Sequence, residues 1–105
     1  MIKPDDNEKK VKQEVKKVLD DLKVYWFMPP ANGYGRSGVP DFVCCANGQF
    51  IGIECKAPSR KDNVSQLQKR EGAKIVTSGG RWFLVYDNLT LDNLRAYIHI
   101  ATLGD

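Results

Sequence analysis

Apolar residues near the start of the chain recur with the period of a helix. Val11, Val15, Val18 and Leu22 are spaced at i, i+4, i+7 and i+11, which places them on one face of an α-helix. Lysines cover much of the rest of this segment: Lys9, Lys10, Lys12, Lys16 and Lys17. Two interpretations of these lysines remain open. They could form a solvent-exposed face, which the helix dipole would also favour, or they could form a surface that contacts phosphate groups.

Two apolar runs on either side of Asn47-Gly48 predict a β-hairpin with strands at 41–46 and 49–56. If Asn47-Gly48 is a two-residue type I′ turn, the last residue of the first strand pairs with the first residue of the second. Asp41 then lies directly opposite Glu54. A symmetric four-residue loop gives the same register, whereas a three-residue loop would shift it by one.

The second half of the chain predicts a helix, a strand and another helix. Ser65 and Gln68 have the spacing of a capping box, so a helix is expected from there to about Thr77, before a Gly-Gly pair. Residues 81–86 are strongly apolar and predict a strand. A final amphipathic helix begins near Thr90 and presents one apolar face: Leu91, Leu94, Tyr97 and Ile98.

The predicted order of elements, α-β-β-α-β-α, indicates an α/β fold. Because both faces of the hairpin strands are largely apolar, helices are expected on both sides of a central mixed sheet. A loop with three glycines, residues 31–40, leads into the hairpin. The length of 105 residues suits one domain spanning 1–105.

Composition and charge narrow the class of protein only slightly. A hydrophobic content of 42 % excludes a disordered tail. No apolar run approaches the roughly 18 residues that span a membrane, and no stretch is of signal-peptide type, so we expect a soluble, intracellular protein. Three cysteines without a C-x-x-C pair predict buried reduced thiols, not disulfides or zinc ligands. The formal charge of +3 permits a polyanionic partner without requiring one.

The expected pairing of Asp41 with Glu54 requires a chemical reason. Directly opposed residues have Cβ atoms about 5 Å apart, where like charges destabilise a sheet. A divalent cation or a single shared proton would remove that repulsion, and oxygen ligands favour Mg²⁺, Mn²⁺ or Ca²⁺ over zinc. Lys56 shares the face of Glu54, roughly 7 Å further along the strand. The alternative is a structural salt bridge between Lys56 and Glu54, with Asp41 capping the loop.

These residues stand in the order of a known family. Gly38-Val-Pro-Asp41, twelve residues and then Glu54-Cys-Lys56 match the P-D…(D/E)-x-K pattern of restriction-endonuclease-like nucleases. Residues 50–58, Ser65-x-x-Gln68 and a Gly-Gly pair before a strand narrow the resemblance to the VRR-Nuc family. The chain resembles the short, standalone members from bacteriophages and bacteria over about residues 14–87. The resemblance implies a restriction-endonuclease-like core.

The resemblance also implies a metal centre at the hairpin. Asp41 and Glu54 would hold Mg²⁺ or Mn²⁺, and the backbone carbonyl of Cys55 would add a ligand. Lys56 would orient or activate the attacking water and offset charge on the scissile phosphate. This set suits phosphodiester hydrolysis, in which charge develops on the phosphate and on the leaving oxygen.

Two helical residues resemble further members of the family's catalytic site. Glu14 resembles the acid that the family places on its first helix, and its position at the edge of the predicted apolar stripe turns it inward. An ordinary exposed glutamate is the alternative. Gln68 resembles a glutamine that touches the site from the next helix. A purely capping role for Gln68, and Gln66 as the family's glutamine in its place, both stay open.

Nucleic-acid contacts are expected on either side of the hairpin. Tyr34, Arg36 and Ser37 in the glycine loop would lie at the mouth of the site, where an arginine with an aromatic ring suits backbone contact or stacking. A loop without such contacts is the alternative. Arg60 and Lys61 begin a second basic set, which continues with Lys69, Arg70 and Lys74.

The resemblance implies a metal-dependent DNA endonuclease that selects its substrate by structure, because the sequence contains no base-reading module. The resemblance to standalone family members also implies a homodimer, and the final helix and residues 82–86 could form its interface. By analogy, the two active sites of a dimer suit the resolution of four-way (Holliday) junctions. Such a protein would act in the cytoplasm of a bacterial or phage-infected host cell. The alternatives are a flap or nonspecific nickase, a non-catalytic DNA-binding module of the same fold, and a plain interaction domain. The lone His99 argues against a His–metal nuclease.

Overall fold

The protein consists of helices packed on a mixed sheet in the computed structural model, which describes residues 1–30 and 37–104. The elements of the described residues are, in order, α1 (Glu8–Asp21), β1 (Tyr25–Phe27), β2 (Phe42–Ala46), β3 (Gln49–Cys55), a 3₁₀ turn (Pro58–Arg60), α2 (Gln66–Thr77), β4 (Arg81–Val85) and α3 (Asn88–Thr102). None of these helices is long and apolar enough to cross a lipid bilayer.

The β2–β3 hairpin has the register expected from its turn. Asn47 and Gly48 have φ angles of 51° and 81°, as the type I′ turn requires. Ala46 pairs with Gln49, and the pairing continues without a slip to Phe42 and Ile53. Asp41, one residue before β2, therefore stands opposite Glu54.

The sheet has the order β1-β2-β3-β4, with β3 and β4 parallel and the other pairs antiparallel. The mixed sheet is confirmed, but the predicted order of elements was wrong in lacking β1. This edge strand has three residues, Tyr25 to Phe27, too few to show the alternation that identifies a strand. The final helix begins at Asn88, before the expected Thr90, because Asp87 is its N-cap and Thr90 closes the capping box.

Helices cover both faces of the sheet, as the apolar strands predicted. On one face, α1 and α3 form the core with the inward residues of the strands, including Phe42, Ile51 and Ile53. On the other face α2 packs against β3 and β4, where the Trp82 ring lies beneath Gly72. The part of this face formed by β2 stays open. Cys45 is therefore exposed, which corrects the expectation of three buried thiols, whereas Cys44 and Cys55 are buried.

The segment before Asp41 is fixed by close contacts with both the sheet and α2. Gly38 has φ +86°, and a Cβ there would lie 2.5 Å from the backbone carbon of Leu67. Pro40 packs so closely over Gly52 that a Cβ on Gly52 would meet its ring at 2.8 Å. The Gly-x-Pro-Asp sequence therefore allows the loop to dock beside the start of α2 and sets the position of Asp41.

We expect Gly38→Ala to destabilise the protein by more than Gly79→Ala. Gly79 also has positive φ, +98°, but nothing lies within 4 Å of a Cβ built there. Gly79→Ala should thus cost only the left-handed backbone strain, about 1 kcal/mol. Gly38→Ala adds overlap with backbone atoms, which costs about 1–3 kcal/mol more. Urea unfolding of both variants measures the difference, and equal losses would contradict the docked loop.

Candidate active site

The carboxylate of Asp41 is held at the end of the hairpin from two sides. Its Oδ2 accepts a hydrogen bond from the backbone N–H of Cys55 at 2.8 Å, across the strand pair. Its Oδ1 lies 3.7 Å from the ammonium group of Lys12 on α1. The hairpin and the first helix together orient this carboxylate, which remains partly open to solvent.

Glu54 lies beside Asp41 and is almost fully buried, with 2 % of its surface exposed. Its Oε2 is buried and has no hydrogen-bond partner among the described residues. Burial, and then the hydrogen bond and charge of Asp41, raise the pKa of Glu54 well above its ordinary value, and Lys56 only partly opposes this. A buried carboxylate oxygen without a partner is costly unless a cation or a proton satisfies it.

The donor atoms at this place fit a hard divalent cation. Two carboxylates converge, one oxygen of Glu54 is unsatisfied, and the Cys55 carbonyl belongs to the same strand end. Within residues 1–30 and 37–104, no cluster of three or more His, Cys, Asp or Glu side chains surrounds a common point. Protein ligation here would therefore rest on two side chains with main-chain oxygen, and water would complete the shell of an ion such as Mg²⁺.

Lys12 and Glu8 are site residues that the sequence analysis did not identify. The Lys12 ammonium lies 3.2 Å from Glu8 Oε2 as well as close to Asp41. Burial would lower the pKa of Lys12, but the Asp41 and Glu8 carboxylates outweigh it and raise the pKa. The charge of Glu8 also contributes to the raised pKa of Glu54. The i,i+4 spacing of Glu8 and Lys12 predicts an ion pair on α1. The spacing does not show which edge of the helix packs against the hairpin, so it could not identify these residues as part of the site.

Glu14 is buried as expected, at 7 % exposure, and the cations that contact it differ from the lysine that contacts Asp41. It pairs with the N-terminal amine at 3.2 Å, with Lys10 at 3.3 Å and with Lys17 at 3.2 Å. Glu14 and Lys12 are two residues apart, or about 200° around the helix, so they flank opposite edges of the buried stripe. The structure thus brings Lys12 and Glu8 to Asp41 and gives Glu14 a different setting.

The α2 glutamine has the capping role that sequence spacing allowed. Ser65 and Gln68 cap the helix reciprocally, and the Gln68 Oε1 accepts from the Ser65 N–H at 2.9 Å. Gln68 nevertheless adjoins the Asp41 loop, because a Cβ on Gly38 would lie 2.8 Å from its backbone nitrogen. Gln66 begins the helix and is exposed. Proximity therefore favours Gln68 over Gln66 as the glutamine nearer the site.

The remaining expected residues lie around the hairpin end. Lys56 follows β3 and is half-buried, with its backbone N–H bound to the Val85 carbonyl at 3.0 Å. Ser37 is exposed beside Gly38, whereas Tyr34 and Arg36 lie outside the described residues. The basic residues after the hairpin are all exposed: Arg60, Lys61, Lys69, Arg70 and Lys74. These five basic side chains are thus available to a polyanion.

Fold and site together define a restriction-endonuclease-like protein, and comparisons with known proteins identify its family. A solved structure described as a "VRR_NUC domain" superposes with a TM-score of 0.71 at 22 % identity, over 86 % of this chain and 95 % of that chain. A protein of Acyrthosiphon pisum secondary endosymbiont phage 1, described as "Putative nuclease p44", is 37 % identical over 95 residues, 90 % of this chain and 92 % of the relative. No protein-family model matches the chain. The chain belongs to the same family as this phage protein and has the fold of a VRR-Nuc domain.

We expect Glu54→Gln to stabilise the protein in EDTA at neutral pH. The substitution keeps the shape of the side chain and removes a carboxyl group that must either carry a buried charge beside Asp41 or, because its pKa is raised, take up a proton on folding at neutral pH. Like charges that face each other, and buried charges without a partner, both cost free energy, so the gain should be about 1 kcal/mol or more. Urea unfolding measures it against Asp92→Asn, which changes an exposed acid on α3. A loss of stability instead would mean that Glu54 is a satisfied structural acid.

We expect Glu14→Gln to lower stability by about 1 kcal/mol at neutral pH, because three cations lose their partner. Burial would raise the pKa of Glu14, but Lys17, the N-terminal amine and Lys10 outweigh it and lower the pKa to about 2. A lowered pKa stabilises above the unfolded value of 4.5, and that contribution disappears as the pH falls through about 2. The two proteins should therefore converge in unfolding free energy at low pH.

The same Glu14→Gln protein tests the role that the family resemblance implied. A folded variant with normal pH dependence of stability, but at least hundredfold weaker cleavage, would return Glu14 to the catalytic site.

Proposed function

We propose that this protein is a Mg²⁺- or Mn²⁺-dependent endodeoxyribonuclease that hydrolyses phosphodiester bonds at the Asp41–Glu54 pair. The observation that carries the proposal is the Oε2 of Glu54, which is buried and has no hydrogen-bond partner within residues 1–30 and 37–104, beside a second carboxylate and next to Lys56. A purely structural ion pair would have satisfied that oxygen. The phage relative described as a nuclease supports the same chemistry.

Asp41, Glu54 and the Cys55 carbonyl would hold the cation, which when bound supplies Lewis-acid activation of water and neutralises charge on phosphate. The Cys55 N–H and Lys12 fix Asp41, so one ligand is oriented beforehand. Lys56 would orient the attacking water and stabilise the phosphate oxygens as charge develops. Glu8 would hold Lys12 in place, and Gln68 would stabilise the loop that carries Asp41.

The preferred substrate in this proposal is branched DNA, with the four-way junction first and flaps or nicked duplex as the alternative. The exposed cations Arg60 and Lys61 support backbone contacts without base reading. One domain, residues 1–105, would carry the activity in the cytoplasm of a bacterial or phage-infected cell. The phage origin of the relative supports that setting.

A homodimer would supply the two sites that a junction needs. The β4 side chains of the expected interface pack largely against other residues of the same protomer. Trp82 lies under Gly72, and the Phe83 ring is 5.3 Å from the Tyr97 ring. The final helix supports the proposal better, because Ile100 and Leu103 are 68 % and 66 % exposed. We therefore place the second copy against the outer face of α3.

Cleavage of labelled four-way junction, flap and duplex DNA tests the proposal. Wild-type protein with Mg²⁺ or Mn²⁺ should place paired, symmetric nicks across the junction, and EDTA should abolish them. Lys56→Ala and Asp41→Asn should each lower the rate by at least hundredfold, because each removes transition-state stabilisation. Asp21→Asn, which changes an exposed acid at the end of α1, is the matched control for Asp41→Asn and should keep the wild-type rate.

The other outcomes separate the alternatives. Metal-dependent cutting of flap or duplex alone would keep the active site and discard junction resolution. Metal-stimulated DNA binding by folded protein, without cleavage of any substrate, would favour the non-catalytic binding module.

A further inference from the structure

A cavity of about 420 Å³ lies beside the end of β4, outside the carboxylate pair. Residues 2–4 form one wall, Pro58 and Lys61 form a second, and residues 86–89 form the third. The volume falls within the range of about 300–1,000 Å³ in which proteins bind small ligands. Among its lining residues, Lys61 already has a role proposed above, a contact with the DNA backbone, and the cavity as a whole has none.

Strand pairing places the cavity next to the catalytic lysine. The backbone N–H of Lys56 binds the carbonyl of Val85, and Tyr86, the next residue, lines the cavity. Pro58, two residues after Lys56, begins the 3₁₀ turn that follows β3 and also lines the cavity. A DNA strand whose scissile phosphate contacts Lys56 would therefore have a neighbouring nucleotide close to this opening.

The lining chemistry suits a nucleotide. The Lys61 ammonium lies 5.6 Å from the centre of the Tyr86 ring, and Lys3 stands on the opposite wall. Two cations beside an aromatic ring offer phosphate contact together with stacking of a sugar or base. The acid in the lining, Asp87, caps α3: its Oδ1 accepts hydrogen bonds from the N–H and the hydroxyl of Thr90 at 2.9 and 2.7 Å.

The wall formed by the N-terminal segment is fixed before any ligand binds. The Asn88 side chain accepts from the Ile2 N–H at 2.7 Å and donates to the Ile2 carbonyl at 2.9 Å. Ile2 itself is buried, with 5 % exposure. Met1 adds the ion pair with Glu14. A site of this kind binds without first ordering its own wall, which lowers the entropic cost of association.

We propose that this cavity binds the nucleotide adjacent to the scissile phosphate, with Lys61 and Lys3 on its phosphate and Tyr86 against its sugar or base. The inference rests on the proposed nuclease function and adds a subsite to it. Asn88 is a positioning residue, since it acts through the N-terminal segment.

Cleavage kinetics test the subsite. Lys61→Met should raise KM about five- to tenfold with kcat within twofold, because a contact made equally in ground and transition states is lost. The slope of log affinity against log salt should fall by about one, and Lys61→Arg should restore both values.

Asn88→Ala should raise KM, whereas Asn93→Ala, an exposed position on the same helix, should not. Unchanged KM and salt slope in Lys61→Met would overturn the proposal.

A binding experiment separates the subsite from catalysis. Thymidine 3′,5′-bisphosphate is titrated into labelled protein in EDTA and followed by NMR. Perturbed amides should cluster at 2–4, 58–61 and 86–89, persist in Lys56→Ala and disappear in Lys61→Met. Perturbations elsewhere, or equal ones with inorganic phosphate, would overturn the nucleotide assignment. Binding here by a protein that cleaves no DNA would instead refute the proposed function and keep the subsite.

Discussion

The register of the β2–β3 hairpin is the constraint on which the rest of the site depends. Side chains alternate between the two faces of a strand, so a slip of one residue would move Glu54 to the opposite face from Asp41. The type I′ turn at Asn47-Gly48 prevents that slip, and its paired ladder runs to Phe42, the residue directly after Asp41. Lys12, the Cys55 N–H and the docked Gly38 loop then refine the position of Asp41 within this register. Local turn chemistry thus decides where two acids meet.

The same arrangement lowers the stability of the folded protein. Glu54 lies in a central strand, with β2 on one side and β4 on the other, and its side chain is almost fully removed from solvent. Its nearest charged neighbour is another acid, and Lys56 only partly offsets the resulting rise in pKa. Free energy that packing provides elsewhere keeps an unsatisfied oxygen in place. Such local conflict is typical of a functional site, where the best choice for stability differs from the best choice for chemistry.

Much of the fold could be predicted from the sequence because its signals are local. The hairpin, the Ser65–Gln68 capping box and the parallel β4 follow from turn residues, caps and apolar runs. β1 could not, since three residues carry no period. The partners of α1 could not either, because helical spacing shows that an edge exists but not what packs against it. Glu8 and Glu14 both flank the apolar stripe, and only tertiary contacts place Glu8 near the Asp41–Lys12 pair and Glu14 with the N-terminal amine.

The two edges of α1 connect the carboxylate pair to the cavity beside β4. One edge carries Lys12, which holds Asp41 at the hairpin end. The other carries Glu14, which holds Met1 and, one residue on, the segment that Asn88 binds as a wall of the cavity. Between them the apolar stripe of Val11, Val15 and Val18 is fully buried against the sheet, so the helix has little freedom to rotate. A rotation of α1 would move both edges together, and the packing of this one helix therefore sets the distance between the carboxylate pair and the neighbouring pocket.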